Sequence, residues 1–141
     1  MRAVLDANVL VSALISRVGA PARLVELWFE GELELVVCKT LLDEVRRTLN
    51  QPKIKDRVAS EDALRFIRLL QEVGEVVADP EGSPPIYSDD PGDDYLLALA
   101  EAGRAVLVSG DRHLLDLAGE LPIQTARAFL ETLEQGPARP Y

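Results

Sequence analysis

Four carboxylates in this chain interrupt or border apolar stretches, where a freely solvated acid is not expected. Asp6 lies in AVLDA and Asp111 ends AVLVSGD, while Glu44 lies within LLDEVRRTL and Asp93 opens DDYLLALAEA. A carboxylate in an apolar setting is costly unless it is paired, hydrogen-bonded or bound to a cation. Clustered acids also raise one another's pKa, so all of them stay ionised only beside a cation. An all-oxygen set of this kind predicts a site for Mg²⁺ or Mn²⁺.

Alternating apolar runs and helical patterns predict an α/β fold with a mostly parallel sheet. The predicted strands lie near residues 2–6, 34–38, 75–78, 105–109 and 121–124. The predicted helices lie near residues 8–16, 21–30, 41–50, 61–73, 94–102, 112–118 and 126–135. Ligands of open parallel sheets bind beyond the carboxyl ends of the strands. If the strands before Asp6 and Asp111 are neighbours, both acids lie at that edge.

Helical periodicity selects the inward-facing acid in the two remaining segments. Asp93 shares the i, i+3, i+4, i+7 spacing of the apolar residues that follow it, whereas Asp94 is turned by about 100° toward solvent. Glu44 lies at the border of the apolar stripe of its helix, and Asp43 lies further round. Because DDPGDD crowds several acids together, Asp90 and Asp94 stay open as assistants or alternatives to Asp93.

Each acid also has an ordinary structural explanation. Asp6 and Asp111 are suited to cap the helices that they precede, and Asp93 is suited to the first turn of its helix. Glu44 taken alone is most often a solvated or ion-paired helical residue. The convergence of all four on one edge of the sheet is what favours a shared site over four separate roles.

Local signals predict where several elements begin and end. Thr40 is the predicted N-cap of its helix, with Asp43 as the capping-box acid, and Ser60 is the predicted N-cap of the next helix. Gly103 is predicted to end the helix that follows the long loop. That loop, DPEGSPPIYSDDPG at residues 79–92, is long for a compact domain, so it is expected either to be mobile or to border a functional site.

Composition limits the class of protein. The 141 residues predict a single domain, 1–141, with residues 136–141 as a flexible tail. No apolar run approaches the ~20 residues of a membrane span. A single cysteine, Cys38, and the absence of a secretory signal pattern favour a cytoplasmic location. The formal charge of −9 argues against a nucleic-acid partner unless several acids hold metal ions.

The order of the segments resembles the PIN-domain family. VLDANVLVSAL, LLDEVRRTL, DDPGDDYLLALA and AVLVSGDRHLL follow one another over nearly the whole chain. The sequence is most similar to the bacterial branch that contains toxins of toxin–antitoxin modules, related to VapC-type ribonucleases. The resemblance implies a three-layer α/β fold with a central parallel five-stranded sheet of order 3-2-1-4-5, flanked by helices.

The resemblance also implies an activity and its site. The activity is an endoribonuclease that hydrolyses RNA with one or two Mg²⁺ or Mn²⁺ ions and leaves a 5′-phosphate. By motif, the catalytic and metal-ligating positions are Asp6, Glu44, Asp93 and Asp111. Asn8 matches a supporting position of the same motif. Apart from the resemblance, Ser109 is expected to lend its hydroxyl to the site or to satisfy backbone groups. Arg46 and Arg47 belong to a basic concentration that is either a solvated face or a contact to substrate phosphates beside Glu44, and Arg112 is also expected to contact the substrate. The implied partners are RNA, a cognate antitoxin protein and a second copy of the chain in a homodimer.

Two other classes of function stay open from the sequence. The chain could be a PIN fold that binds RNA or a protein without turnover. Asp6 could instead be the nucleophile of an aspartyl-phosphate phosphotransferase. The stretch DAN, which lacks a second acid two places after Asp6, and the strand end VSGD, which lacks a lysine, both argue against phosphotransfer.

Overall fold

The computed structural model describes residues 1–80 and 91–135. Its elements, in chain order, are β1 (Arg2–Leu5), α1 (Ala7–Ile15), α2 (Ala20–Phe29), β2 (Glu34–Val37), α3 (Lys39–Leu49), α4 (Pro52–Lys55), α5 (Ser60–Val73), β3 (Glu75–Val76), a 3-10 turn (Pro91–Asp93), α6 (Asp94–Gly103), β4 (Val106–Val108), α7 (Arg112–Leu115), β5 (Ile123–Gln124) and α8 (Ala126–Gln135). The predicted tail at 136–141 and Asp90 lie outside the described residues.

Five parallel strands form one sheet in the order β3-β2-β1-β4-β5, as the sequence predicts. β1 is central, and Ala3 pairs with Leu35 of β2 and with Val106 of β4. Crossovers between parallel strands are right-handed almost without exception, and for this strand order that rule puts α1 to α5 on one face of the sheet and α6 and α7 on the other. In agreement, α6 packs on β1, β2 and β4, whereas α1 packs on α2 and α3. The predicted three-layer α/β fold is therefore confirmed.

The core is apolar except at one point beyond the central strands. Ala3, Val4 and Leu5 of β1 are at most 1% exposed, as expected for a strand covered on both faces. In the described part of the chain, the buried polar or charged residues are Asp6 and Ser109, at 6% and 0% exposure. These two residues directly follow β1 and β4, so the polar point of the core lies at the carboxyl edge of the sheet.

The helices do not individually match a membrane span. No single helix in the described ranges is long and apolar enough to cross a membrane. Taken together, α1 and α2 have the length and composition of a membrane span, but they meet at a bend of 93°.

The beginning of α3 differs from the prediction. The sequence predicts Thr40 as the N-cap, but the helix starts at Lys39 with Cys38 in the cap position, and Cys38 makes no side-chain capping bond. Asp79, beyond β3, instead accepts hydrogen bonds from the backbone N–H of Thr40 at 3.1 Å and from its hydroxyl at 3.0 Å. Asp43 does not complete a capping box with Thr40, because it pairs with Arg46 at 3.1 Å. The residue that caps the beginning of α3 is therefore 39 residues away from Thr40 in the sequence.

Two other helix ends lie at or within one residue of their predicted positions. Ser60 is the first residue of α5 and Ala59 is its N-cap, so the predicted cap is wrong by one position. α6 ends at Gly103 as predicted, but the left-handed position that follows is Arg104, at a φ of 50°. Pro52 begins the one-turn helix α4, because proline is favoured in a first turn.

Candidate active site at the carboxyl edge of the sheet

Asp6 is a buried carboxylate that caps α1. Its Oδ1 accepts the backbone N–H of Asn8 at 2.8 Å and that of Val9 at 3.2 Å. Its Oδ2 accepts a hydrogen bond from the hydroxyl of Ser109. The N-cap interpretation of Asp6 is therefore confirmed, and one oxygen is left to face the neighbouring strand. Asn8 supports the carboxylate through its backbone, and as a residue it is exposed.

Ser109 joins Asp6 to Asp111. The Oγ of Ser109 accepts the backbone N–H of Asp111 at 3.0 Å while its hydroxyl donates to Asp6. Asp111 in turn caps α7, because its Oδ1 accepts the backbone N–H of His113 at 2.8 Å. The two strand-end acids predicted to be neighbours are thus linked through one fully buried serine.

The electrostatic setting of Asp6 is unfavourable for a bare carboxylate. Burial raises the pKa of Asp6 above its ordinary value, and the nearby charge of Asp111 raises it further. Hydrogen bonds from Ser109, Val9 and Asn8 lower the pKa but do not cancel the effect of burial. A cation beside Asp6 would favour the ionised form of this group.

Glu44 is the more buried acid of its helical turn, as its periodicity predicts. The side chain of Glu44 is 29% exposed and that of Asp43 is 44% exposed. The hydroxyl of Tyr95 donates to Glu44 Oε2 at 2.8 Å, and Arg47 Nη2 lies 3.8 Å from Oε1. Each oxygen of Glu44 therefore has a different neighbour.

Tyr95, in the first turn of α6, is a site residue that the sequence analysis missed. Burial raises the pKa of its hydroxyl above the ordinary value, and the hydrogen bond to Glu44 adds to this effect. The charges of Glu44, Cys38 and Asp6 act on this pKa in the same direction. The available signal was a phenol two residues after Asp93, at the start of a helix aimed at this edge.

Asp93 completes the 3-10 turn just before α6. Its Oδ2 is buried from solvent, in agreement with the inward orientation that its periodicity predicts. Asp93 and Asp94 are both half-buried, so Asp94 is less exposed than the sequence predicts.

The donor atoms at this edge suit a hard divalent cation in chemical type, since they are carboxylate oxygens. Within residues 1–80 and 91–135, however, no group of three or more histidine, cysteine, aspartate or glutamate residues is placed to hold a metal ion. The structure brings Asp6 and Asp111 together through Ser109, whereas Glu44 is tied to Tyr95. The donor type fits a metal, and the described side chains do not form a closed set of ligands.

The three arginines expected to contact a substrate differ in their surroundings. Arg46 is held by Asp43, and Arg47 is 72% exposed beside Glu44. Arg112 is exposed and directly follows Asp111. Two of the three thus lie next to candidate acids with their side chains accessible, and their role in binding stays a prediction.

Two of the cavities formed by the described residues lie away from this edge. One, of about 650 Å³, is lined by residues such as Leu97, Val106 and Ile123, and the other, of about 580 Å³, by residues such as Val25 and Phe66. None of the four candidate acids lines either cavity. Neither cavity therefore belongs to the candidate site.

Comparison with known proteins shows which family this chain resembles. The family model described as "PIN domain" matches residues 2–113, a range that contains all four candidate acids. The uncharacterized protein MJ1680 of Methanocaldococcus jannaschii is 24% identical over 145 residues, which cover 96% of this chain and 93% of that protein. With the fold and the family match in agreement, the chain belongs to the PIN-domain family.

Proposed function

We propose that this protein is an endoribonuclease that depends on Mg²⁺ or Mn²⁺. The PIN-domain family is a nuclease-type family whose members typically use divalent metals. The observation that carries the proposal is Asp6, a 6% exposed carboxylate beside Asp111, hydrogen-bonded to the fully buried Ser109. Burying an acid beside a second acid is unfavourable for folding, and a cation-binding role explains why the fold keeps both.

The side chains of this edge then have distinct roles. The proposed ligands of one or two ions are Asp6, Glu44, Asp93 and Asp111. A bound cation supplies a water of lowered pKa and a positive charge beside the scissile phosphodiester. Ser109 holds Oδ2 of Asp6 and the N–H of Asp111, and thereby orients both strand-end carboxylates. The N–H of Asn8 holds the second oxygen of Asp6.

Arginine side chains are the proposed contacts to the RNA backbone. Arg47 and Arg112 lie next to Glu44 and Asp111, and a guanidinium can bind a phosphate through two parallel hydrogen bonds. Arg46 is a weaker candidate, because its guanidinium is already held by Asp43. The chain has a formal charge of −9, so its surface as a whole repels RNA. The local positive charges of these arginines have to offset that repulsion.

The test is cleavage of a mixed-sequence single-stranded RNA by the purified protein. Parallel reactions contain Mn²⁺, Mg²⁺ or EDTA, and the ends of the products are mapped. We expect cleavage in Mn²⁺ or Mg²⁺, none in EDTA, and 5′-phosphate ends. RNA that is bound but left intact by equimolar protein in Mn²⁺ would favour the binding-module alternative. Acid-labile phosphate on Asp6 after incubation with a small phosphoryl donor would favour the phosphotransferase.

We further propose that the ribonuclease is the toxin of a toxin–antitoxin module, held in check by a cognate antitoxin protein and acting as a cytoplasmic homodimer. The similarity of its four acid-bearing segments to that branch of the family supports this role. Induced expression is expected to arrest growth, and co-expression of a small neighbouring reading frame is expected to restore it. Light scattering tests the dimer. Continued growth on induction of the active protein would count against the toxin role.

A further inference from the structure

The hydroxyl of Tyr95 connects the two helices that bring Glu44 and Asp93 to the sheet edge. Glu44 belongs to α3, and Tyr95 belongs to α6, directly after the turn that contains Asp93. The phenol donates to Glu44 Oε2 at 2.8 Å across 51 residues of sequence. This distance is that of a well-formed O–H···O hydrogen bond, and an ionised acceptor strengthens such a bond.

This bond distinguishes the two oxygens of Glu44. Oε2 is held by a well-formed hydrogen bond, whereas Oε1 has Arg47 Nη2 at 3.8 Å, beyond hydrogen-bond distance, on a 72% exposed side chain. A glutamate without such a partner samples many rotamers, and ordering it on metal binding costs side-chain entropy. Holding Oε2 removes much of that cost and leaves Oε1 as the more accessible donor atom.

The Tyr95 side chain is itself held in place, so it can fix the position of the Glu44 carboxylate. Its ring is half-buried, and the next two residues of α6, Leu96 and Leu97, are 1% and 2% exposed. A tyrosine has two side-chain torsions, fewer than glutamate, so its hydroxyl is fixed more firmly by the backbone. The packing of α6 on the core therefore fixes the position of the Tyr95 hydroxyl, and this hydroxyl fixes the position of the Glu44 carboxylate.

We propose that Tyr95 is a positioning residue that holds Glu44 Oε2 so that Oε1 is presented as the donor atom to a cation. The inference rests on the proposed metal-dependent function and adds a residue to its site. Partners of this kind, which touch a ligand side chain rather than the metal, typically change metal affinity by about 10–100-fold when they are removed.

The experiment measures Mn²⁺ binding from the electron paramagnetic resonance signal of free Mn²⁺. The variants are Tyr95→Phe, Glu44→Gln and the double variant, with Asp43→Asn as a control on the same helical turn. We expect Tyr95→Phe to weaken binding by about 10–100-fold and the double variant to bind no more weakly than Glu44→Gln. Saturating Mn²⁺ should return the RNA cleavage rate of Tyr95→Phe toward that of the parent, which a general structural defect would not do.

The outcomes separate this inference from the proposed function. Parent protein that binds Mn²⁺ while Tyr95→Phe binds equally well or more tightly overturns the positioning role and leaves the metal site intact. Parent protein that binds no Mn²⁺ at millimolar concentration overturns both. Additive losses in Tyr95→Phe and Glu44→Gln mean that Tyr95 does not act through Glu44, and this also overturns the inference. Thermal melts in EDTA confirm that each variant is folded.

Discussion

Ser109 donates its hydroxyl to Asp6 and accepts the backbone N–H of Asp111, so one buried side chain ties together the ends of the neighbouring strands β1 and β4. The same two acids cap α1 and α7. Capping and metal binding are therefore compatible here. Each cap engages Oδ1. Oδ2 of Asp6 accepts the hydroxyl of Ser109, and because a carboxylate oxygen has two lone pairs, it keeps one acceptor position for a cation.

Ser109→Ala should destabilise the protein in EDTA, because it removes a donor from a buried carboxylate. A hydrogen bond to a charged group contributes about 1.5–3 kcal/mol, and we expect a loss of that order in the free energy of unfolding. Urea unfolding at neutral pH measures it. Ser12→Ala, at an exposed position on α1, is the control and should change stability by less than about 0.5 kcal/mol. Equal stability of the two variants would contradict the role assigned to Ser109.

Mn²⁺ should stabilise the folded protein by mass action. At a hundredfold excess over the dissociation constant, the free energy of unfolding rises by about 2.7 kcal/mol, which corresponds to an increase in Tm of roughly 5–10 °C. Scanning calorimetry with Mn²⁺ and with EDTA gives the shift. Glu44→Gln is expected to reduce the shift and Asp43→Asn to preserve it. An unchanged Tm of the parent protein in millimolar Mn²⁺ would argue against a metal site.

Asp79 should make the stability of the protein sensitive to acid. Hydrogen bonds from the Thr40 backbone and from the Cys38 and Thr40 side chains hold the pKa of Asp79 below its ordinary value of 3.8. Because the folded-state pKa is lowered, this stabilisation is fully present above pH 3.8 and is lost as the pH falls below it. Asp79→Ala should remove that part of the acid dependence in urea unfolding between pH 5 and pH 2. Identical pH profiles for the variant and the parent would contradict the long-range cap.

Arg104→Gly should stabilise the protein away from the candidate site. Arg104 holds a left-handed backbone at a φ of 50°, which glycine adopts without the steric cost that other residues meet. We expect a gain of up to about 1 kcal/mol in the free energy of unfolding, offset in part by the greater freedom of glycine in the unfolded chain. RNA cleavage should be unchanged. A less stable variant would indicate that the Arg104 side chain contributes more than its backbone costs.

The sheet and the strand-end acids could be predicted because their signals are local. Apolar runs such as AVL mark strands buried on both faces, and an aspartate directly after such a run marks the carboxyl edge. The pairing of β1 with β4 then follows from the order 3-2-1-4-5 that the family resemblance implies. Asp79 directly follows the strand predicted near residues 75–78, as Asp6 follows the first predicted strand, although β3 of the structure ends at Val76.

The contacts that complete the edge could not be predicted, because they join residues far apart in sequence. The bond from Tyr95 to Glu44 spans 51 residues, and that from Thr40 to Asp79 spans 39. Periodicity identified which side of α3 faces inward but carries no information on which donor lies opposite. Threonine is a favoured N-cap residue, but in the structure the side chain that caps α3 is that of Asp79, which lies beyond β3.

Asp6→Asn tests the central claim, that the buried carboxylate after β1 serves a metal-dependent ribonuclease. Asparagine caps a helix about as well as aspartate, so the variant should fold, and loss of the charge should relieve repulsion with Asp111. The measurement is the rate of Mn²⁺-dependent cleavage of single-stranded RNA, with EDTA blanks and with Asp62→Asn, at a 61% exposed side chain of α5, as control. We predict that Asp6→Asn lowers the rate by about 100-fold or more, since metal-assisted charge stabilisation contributes several kcal/mol. A folded Asp6→Asn protein that cleaves RNA as fast as the parent would contradict the account and leave Asp6 as a helix cap alone.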